Sequence, residues 1–362
     1  WFQKSLQYWR EKFTIRKRLC MPKRQERNEQ IRQFILEKLE DHPSDITNLV
    51  SGSFDISRQA SHRYVQKMIS DGLVIAEGNT RDRKYYTKPL AEFSIELPLA
   101  GLEEDKVWRE HIRPLMNDLS RNIFDIYHYG FTEMLNNAID HSEGTQVTIL
   151  VNRWHNSIDL GVVDNGVGIF AKLQKTLKLD DATHALLELA KGKLTSDPAR
   201  HSGEGIFFTS RMFDRFFIDS GHLYYAHFEN NKSDIWLEHK TDETIGTSIR
   251  MIIGSNSKRT TQEVFDNYSD DEFGFSKTQV PVFLAAYGEE NLVSRSQAKR
   301  LLARLEKFKE IQLDFKDVPS IGQAFADEVF RVFVNRNPAV LLIPVNANEQ
   351  VQKMIAHVKN AT

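Results

Sequence analysis

The stretch Glu133-Met134-Leu135-Asn136-Asn137-Ala138-Ile139-Asp140-His141 decides how this chain is read. On a helix, Glu133, Asn137, Asp140 and His141 share one face, because positions four, seven and eight apart stack together. Asn137 then offers an amide oxygen to Mg2+, a hard ion that takes oxygen ligands and completes its shell with phosphate oxygens and water. Glu133, one turn earlier, is placed to orient or deprotonate a nucleophile at a γ-phosphate. In isolation the same pattern also describes a solvated helix face. The sequence downstream raises it above that.

Asp164-Asn165-Gly166-Val167-Gly168-Ile169 closes the strand pattern Leu160 to Val163. A carboxylate there can accept a hydrogen bond from an adenine amino group, and Gly166 and Gly168 let the backbone approach a nucleotide closely. Gly203-Glu204-Gly205 opens a helical run from Ile206 to Phe216. Backbone amides at a helix start suit phosphate oxygens, through unpaired N–H groups and the helix dipole. Gly246-Thr247-Ser248 leads into the strand Ile249 to Ile253 and brings Thr247 towards the base. Each motif alone has an ordinary structural reading as a turn, a helix start or the beginning of a strand. Their order is what is specific.

Together the four resemble the N, G1, G2 and G3 boxes of the GHKL superfamily of ATPases and kinases, over roughly residues 100–254. The resemblance implies a Bergerat-type α/β sandwich that binds ATP with Mg2+, with Asn137 as metal ligand, Asp164 reading adenine and Glu133 as the catalytic carboxylate. Asp140, Gly166, Gly168, Gly203, Gly205 and Thr247 are the further cofactor-binding candidates. It also implies that the segment from Ile169 to Gly203 is a mobile lid, in which Lys193 and Arg200 are candidate phosphate contacts. Glu204 departs from the pattern, since an acidic side chain near phosphates is unfavourable unless it points away or binds metal.

Outward from this centre, residues 28–88 read as three helices and a hairpin, the order of a winged helix-turn-helix. Ile31, Phe34, Ile35, Leu36 and Leu39 recur at helical spacing; Ser44 is expected to cap a short helix through Leu49, and Ser57 a third that Gly72 ends. Strands at Leu73 to Glu77 and Lys84 to Thr87 flank a basic wing. Arg58, Gln59, His62, Arg63 and Lys67 on the third helix, with Arg81, Arg83 and Lys84 on the wing, are the candidates for contact with double-stranded DNA. Residues 1–27 are expected to be an extension that need not be native to the chain, and Pro89 to Glu104 a linker. Beyond the acidic stretch Glu263 to Glu272, residues 273–360 alternate strands and helices. Leu313-Asp314-Phe315-Lys316-Asp317-Val318 and Gly322 to Val329 there resemble a STAS-like domain of the poorly characterised type fused to such ATPases. That resemblance implies a protein partner. The expected fold class is therefore α/β multidomain: winged helix, α/β sandwich, small STAS-like α/β domain.

Composition narrows the function classes. With 40% hydrophobic and 27% charged residues, no apolar run long enough to span a bilayer and a single cysteine, the chain is expected to be a cytoplasmic globular protein without disulfides. A net charge of -2 gives no global pull towards nucleic acid, so DNA contact must come from a local patch. Glu110-His111-Ile112-Arg113-Pro114-Leu115 resembles the phospho-acceptor box of histidine kinases, but only some twenty residues separate His111 from Glu133. That leaves no room for a dimerisation hairpin, and His111 reads as a surface or packing residue. Three functions stay open: a regulator coupling ATP binding or slow hydrolysis to DNA or partner engagement, an anti-sigma-type protein serine/threonine kinase acting on a separate partner, and a non-enzymatic DNA-binding protein with a degenerate nucleotide site. A homodimer is compatible with each.

Overall fold

The computed structural model describes residues 23–39, 42–79, 82–193, 203–229, 234–272, 274–286 and 290–360, with backbone alone at 23–26 and 234–236. It is a mixed α/β chain in two compact units, one running to Glu92 and including Asn152–Ser157, the other comprising Phe93–Val151 and the chain from Ile158 onward. Among the described residues no helix is long and apolar enough to cross a membrane.

In the first unit α1 (Lys23–Lys38), α2 (Ile46–Phe54) and α3 (Arg58–Ser70) precede the antiparallel hairpin of β1 (Val74–Glu77) and β2 (Lys84–Thr87). Ile31, Ile35, Leu39, Ile46, Val50, Val65, Met68, Val74 and Tyr85 form its core. Ser57 caps α3 by accepting the Ala60 N–H at 3.2 Å. Two expectations shift. Helix α1 starts at Lys23, inside the stretch taken as an extension, and Ser44 does not cap α2: Asp45 holds the N-cap position, and the helix continues to Phe54.

The second unit contains a five-stranded sheet in the order β3-β4-β5-β7-β6, from β3 (Ala91–Pro98), β4 (Gln146–Arg153), β5 (Ser157–Asp164), β6 (Arg215–Phe228) and β7 (Asp234–Gly254). Alternating residues face the helices: Val147, Ile149 and Val151 from β4, Ile158, Leu160 and Val162 from β5, Ile249, Met251 and Ile253 from β7. Helix α4 (Arg121–His141) is fastened to this face by Tyr127, whose buried hydroxyl donates to the Ile158 carbonyl and accepts from the Ile253 N–H. Pro89 to Glu104, expected as a linker, contributes the edge strand β3. Helical turns at 104–116 precede α4, and Ser120 holds its N-cap position.

Helices α5 (Ile169–Leu177), α6 (Ala182–Lys191) and α7 (Gly205–Met212) connect β5 to β6. After β7, the first part of the acidic stretch Glu263 to Glu272 lies in α8 (Thr261–Tyr268), started by a capping box between Thr260 and Glu263. A parallel sheet of order β10-β9-β8 follows, built from β8 (Lys277–Pro281), β9 (Glu310–Asp314) and β10 (Leu341–Val345). Parallel neighbours require crossovers, here through α9 (Arg295–Leu302) and the helical run 323–336 that begins as α10 (Gln323–Asp327); α11 (Glu349–Asn360) closes the chain. The two sheets of this unit share one continuous apolar core, joined by Phe275 in ring contact with Phe207, Phe208 and Phe308.

Candidate functional site

A cavity of about 290 Å³ opens between α4, α5 and the ends of β5 and β7. Helix α4 presents Glu133, Met134, Asn137, Ala138 and His141 to it; β5 contributes Val162 and Asp164; Gly168, Ile169, Lys172, Leu173 and Thr176 come from α5 and its approach. Gly203, Gly205, Ile206 and Phe207 line another wall, Thr247 and Ile249 a third, and Leu189 of α6 completes it. Apolar walls with a few converging polar groups are the usual make-up of a small-molecule site, and the volume lies at the small end of the range for one.

At its polar end Asp164 is 7% exposed, and its Oδ1 accepts the Gly166 N–H at 2.8 Å. Burial pushes the Asp164 carboxyl above its ordinary range, and hydrogen bonds from Gly166 and Thr247 offset part of that rise. Thr247 is also fixed from the other side, since its Oγ1 accepts the Ile169 N–H at 3.0 Å. The carboxylate, the threonine and the start of α5 thus form one chain of hydrogen bonds. Gly246 makes this possible: it sits at φ +71°, and a Cβ there would fall 2.0 Å from the Asp164 carbonyl oxygen. Gly205 is constrained similarly by Glu133, whose Oε2 would lie 2.0 Å from a Cβ at that position. The Glu133 carboxylate therefore rests against the first residue of α7, where unpaired amides attract negative charge.

Of the sequence-derived candidates, Glu133, Asn137, Asp164, Gly168, Gly203, Gly205 and Thr247 line this one cavity although they span more than a hundred residues of chain. Three others lie elsewhere. Asp140 is exposed, because the lining face of α4 is centred between Asn137 and His141 and leaves Asp140 beyond its rim. Gly166 packs against Ser142, where a Cβ would stand 2.1 Å from the carbonyl oxygen, so its small size serves the turn. Lys193 donates to the Lys307 carbonyl at 3.3 Å and lies over the Phe275 and Phe308 rings, away from the cavity. Glu204 is not among the lining residues either, and its charge acts on Tyr129 and Lys193. Arg200 lies outside the described residues.

Lys172 escaped the sequence reading. Its Nζ donates to the His141 carbonyl at 2.6 Å and pairs with Glu143 at 3.0 Å, tying the end of α4 to α5 beside the cavity. The signal was present: Ile169, Lys172, Leu173 and Thr176 follow the spacing of one helix face directly after the glycine turn. In the first unit, Arg58, Gln59, His62, Arg63 and Lys67 are exposed on α3, and Arg83 and Lys84 are exposed at the hairpin; Arg81 lies outside the described residues. His111 stacks on Phe93 with ring centroids 6.3 Å apart.

The parallel sheet carries its own polar cluster. Asp314 at the end of β9 accepts from Lys316 N–H and Asn346 through Oδ1 and from Gln279 through Oδ2. Gln297 is buried in a capping box with Ser294 at the start of α9. This part of the chain has a known relative. Residues 297–352 match the family model of a STAS-like domain of unknown function (DUF4325). The match begins inside α9 and ends inside α11, so the STAS-like segment takes in β9, α10 and β10. None of the curated proteins matches the chain.

Proposed function

We propose that the second unit binds Mg-ATP in this cavity as a GHKL-type module, and that the chain is a regulator coupling nucleotide binding or slow hydrolysis to DNA or partner engagement. One observation carries this reading: four motifs separated along the sequence converge on a single cavity, each supplying the group its chemistry calls for. Asp164, held by Thr247 and Gly166, would accept the adenine amino group between the apolar walls of Val162, Ile249 and Leu173. Asn137 would supply an oxygen to Mg2+, which would offset phosphate charge, and Glu133 would orient the attacking nucleophile. Incubating the purified chain with γ-labelled Mg-ATP tests it: free phosphate identifies an ATPase, labelled protein identifies a kinase, and absence of bound nucleotide overturns the proposal.

The STAS-like segment is expected not to be an acceptor for its own catalytic module. In STAS partners of the anti-sigma kinases that this chain resembles, the acceptor serine opens the helix after the second core strand. Here Gly322 holds the N-cap of α10, and Gln323 and Ala324 fill its first turn, so no hydroxyl stands there. Ser320 precedes the helix in a partly buried loop. Mass spectrometry after incubation with Mg-ATP should find Ser320 unmodified; stoichiometric phosphate on it would promote the kinase reading.

For the first unit we propose a winged helix that binds duplex DNA through the exposed face of α3 and the hairpin cations. Phosphate contacts release counterions, so affinity for genomic fragments should drop by orders of magnitude between low and physiological salt. Titrations by fluorescence anisotropy at several salt concentrations check this. An interaction indifferent to salt, or none, would reassign the unit to protein recognition.

A further inference from the structure

Resting on the nucleotide reading above, we propose that docking of the STAS-like side against the lid helix α6 sets the nucleotide affinity of the cavity, so that occupancy and docking are coupled. Helix α6 has two working faces. Leu189 lines the cavity, while the ends of the same helix are held by α9 and β8.

At the N-terminal end, Asp181 caps α6 by accepting the His184 N–H at 2.7 Å. The Arg300 guanidinium grips the same carboxylate through two hydrogen bonds of 2.8 and 2.9 Å. At the C-terminal end Lys191, 1% exposed, donates to Glu188 at 2.6 Å and to the carbonyls of Arg300 and Ala303 at 3.1 and 3.0 Å. Those carbonyls close α9, so a lysine of the lid helix caps a helix of the other sheet. Arg304 holds the second oxygen of Glu188 at 2.6 Å, and Thr278 of β8 donates to the Lys191 carbonyl at 2.7 Å.

A helix fastened at both ends cannot shift Leu189 without breaking charge-assisted hydrogen bonds, the strong class in proteins. The cavity wall is thereby preorganised, and a ligand need not order it on binding. Linkage is reciprocal: whatever tightens nucleotide binding through α6 also tightens the grip on α9, and a partner that draws α9 away weakens nucleotide binding by the same factor.

Two measurements on the full chain test the coupling. Arg300→Met keeps the size of the side chain and returns Asp181, 41% exposed, to water. It should lower affinity for a non-hydrolysable Mg-ATP analogue about tenfold, within the ~5–150-fold span common for coupled sites. Arg295→Ala, on the exposed start of α9 and paired only distantly with Asp327 at 3.8 Å, should leave affinity unchanged. In the wild-type chain the analogue should slow amide hydrogen exchange across 295–308, none of which lines the cavity. This arm does not depend on any variant folding. Exchange slowed at 133–141 and 164–176 but unchanged at 295–308, or wild-type affinity in folded Arg300→Met, overturns the coupling and leaves the nucleotide site standing. No slowing anywhere removes the nucleotide reading and the coupling together.

Discussion

Asp164→Ala is expected to abolish Mg-ATP binding in calorimetry. A hydrogen bond from a neutral donor to a buried charged acceptor contributes about 1.5–3 kcal/mol. The loss here is compounded, because the same carboxylate accepts the Gly166 N–H and is held by Thr247, so the turn that shapes the cavity loosens with it. A micromolar site losing about 4 kcal/mol falls to the millimolar range, beyond detection. Asn137→Ala should do the same by removing the metal ligand. Glu133→Ala should spare binding and stop turnover: its carboxylate rests on Gly205 at the head of α7, so truncation uncovers amides that favour phosphate.

The pH dependence has a defined sign. Burial raises the Asp164 carboxyl above its ordinary value of 3.8, and only the ionised form is a pure acceptor for adenine. Affinity is therefore full well above the raised value and declines as pH falls through it, earlier than an ordinary aspartate would dictate. Wild-type affinity in Asp164→Ala would remove this residue from adenine recognition.

Glu188→Ala should produce the largest loss of stability among single changes at the α6–α9 contact. Glu188 has a buried side chain and neutralises the equally buried Lys191, with Arg304 and His184 beside it. Removing it strands a buried ammonium, which costs about 3–5 kcal/mol. For a unit of this size that lowers Tm by roughly 10 °C. Lys191→Met combined with Glu188→Leu should recover most of the loss, because it removes both charges from the interior.

Acid gives an independent readout. Burial alone would raise the Glu188 carboxyl, but His184, Lys191 and Arg304 together bring it down from 4.5 to about 2. A lowered carboxyl contributes stability that is complete above the unfolded value and lost as pH falls towards the folded one. Here that window runs from 4.5 down towards about 2. Thermal melts of wild type and Glu188→Ala should converge at the acid end. A variant that melts with wild type at neutral pH would show that the charge cluster contributes nothing net.

The cavity was legible because its residues sit in local patterns: the α4 face, the glycine turn after β5 and Gly203-Glu204-Gly205 can each be read in a short window. The strand pattern of β5 and the cap at Ser57 were legible for the same reason. What was hidden depends on distant partners. Lys193 reads as a phosphate contact until Lys307, Phe275 and Phe308 are seen beside it. Lys191 looks like any helix-terminal lysine, and only the folded chain brings the end of α9 over it. Strand β3 was missed because its residues are exposed or half-buried on an edge, which gives a linker-like composition, and Asp140 because a face counted by spacing has no rim until a neighbour defines one.

The ring cluster between the two sheets bears on how this chain can vary over time. Phe275, beyond β7, packs on Phe207 and Phe208 of α7 and on Phe308 after α9, and Phe207 also meets Tyr268 of α8. A chain cut after Gly254 would leave those phenylalanines facing water as a contiguous sticky patch of the kind that drives aggregation. The joint between the sheets is therefore a poor breakpoint for recombination. Substitutions on α7 and those around Phe275 and Phe308 are therefore expected to be tolerated only together, because each set packs against the other.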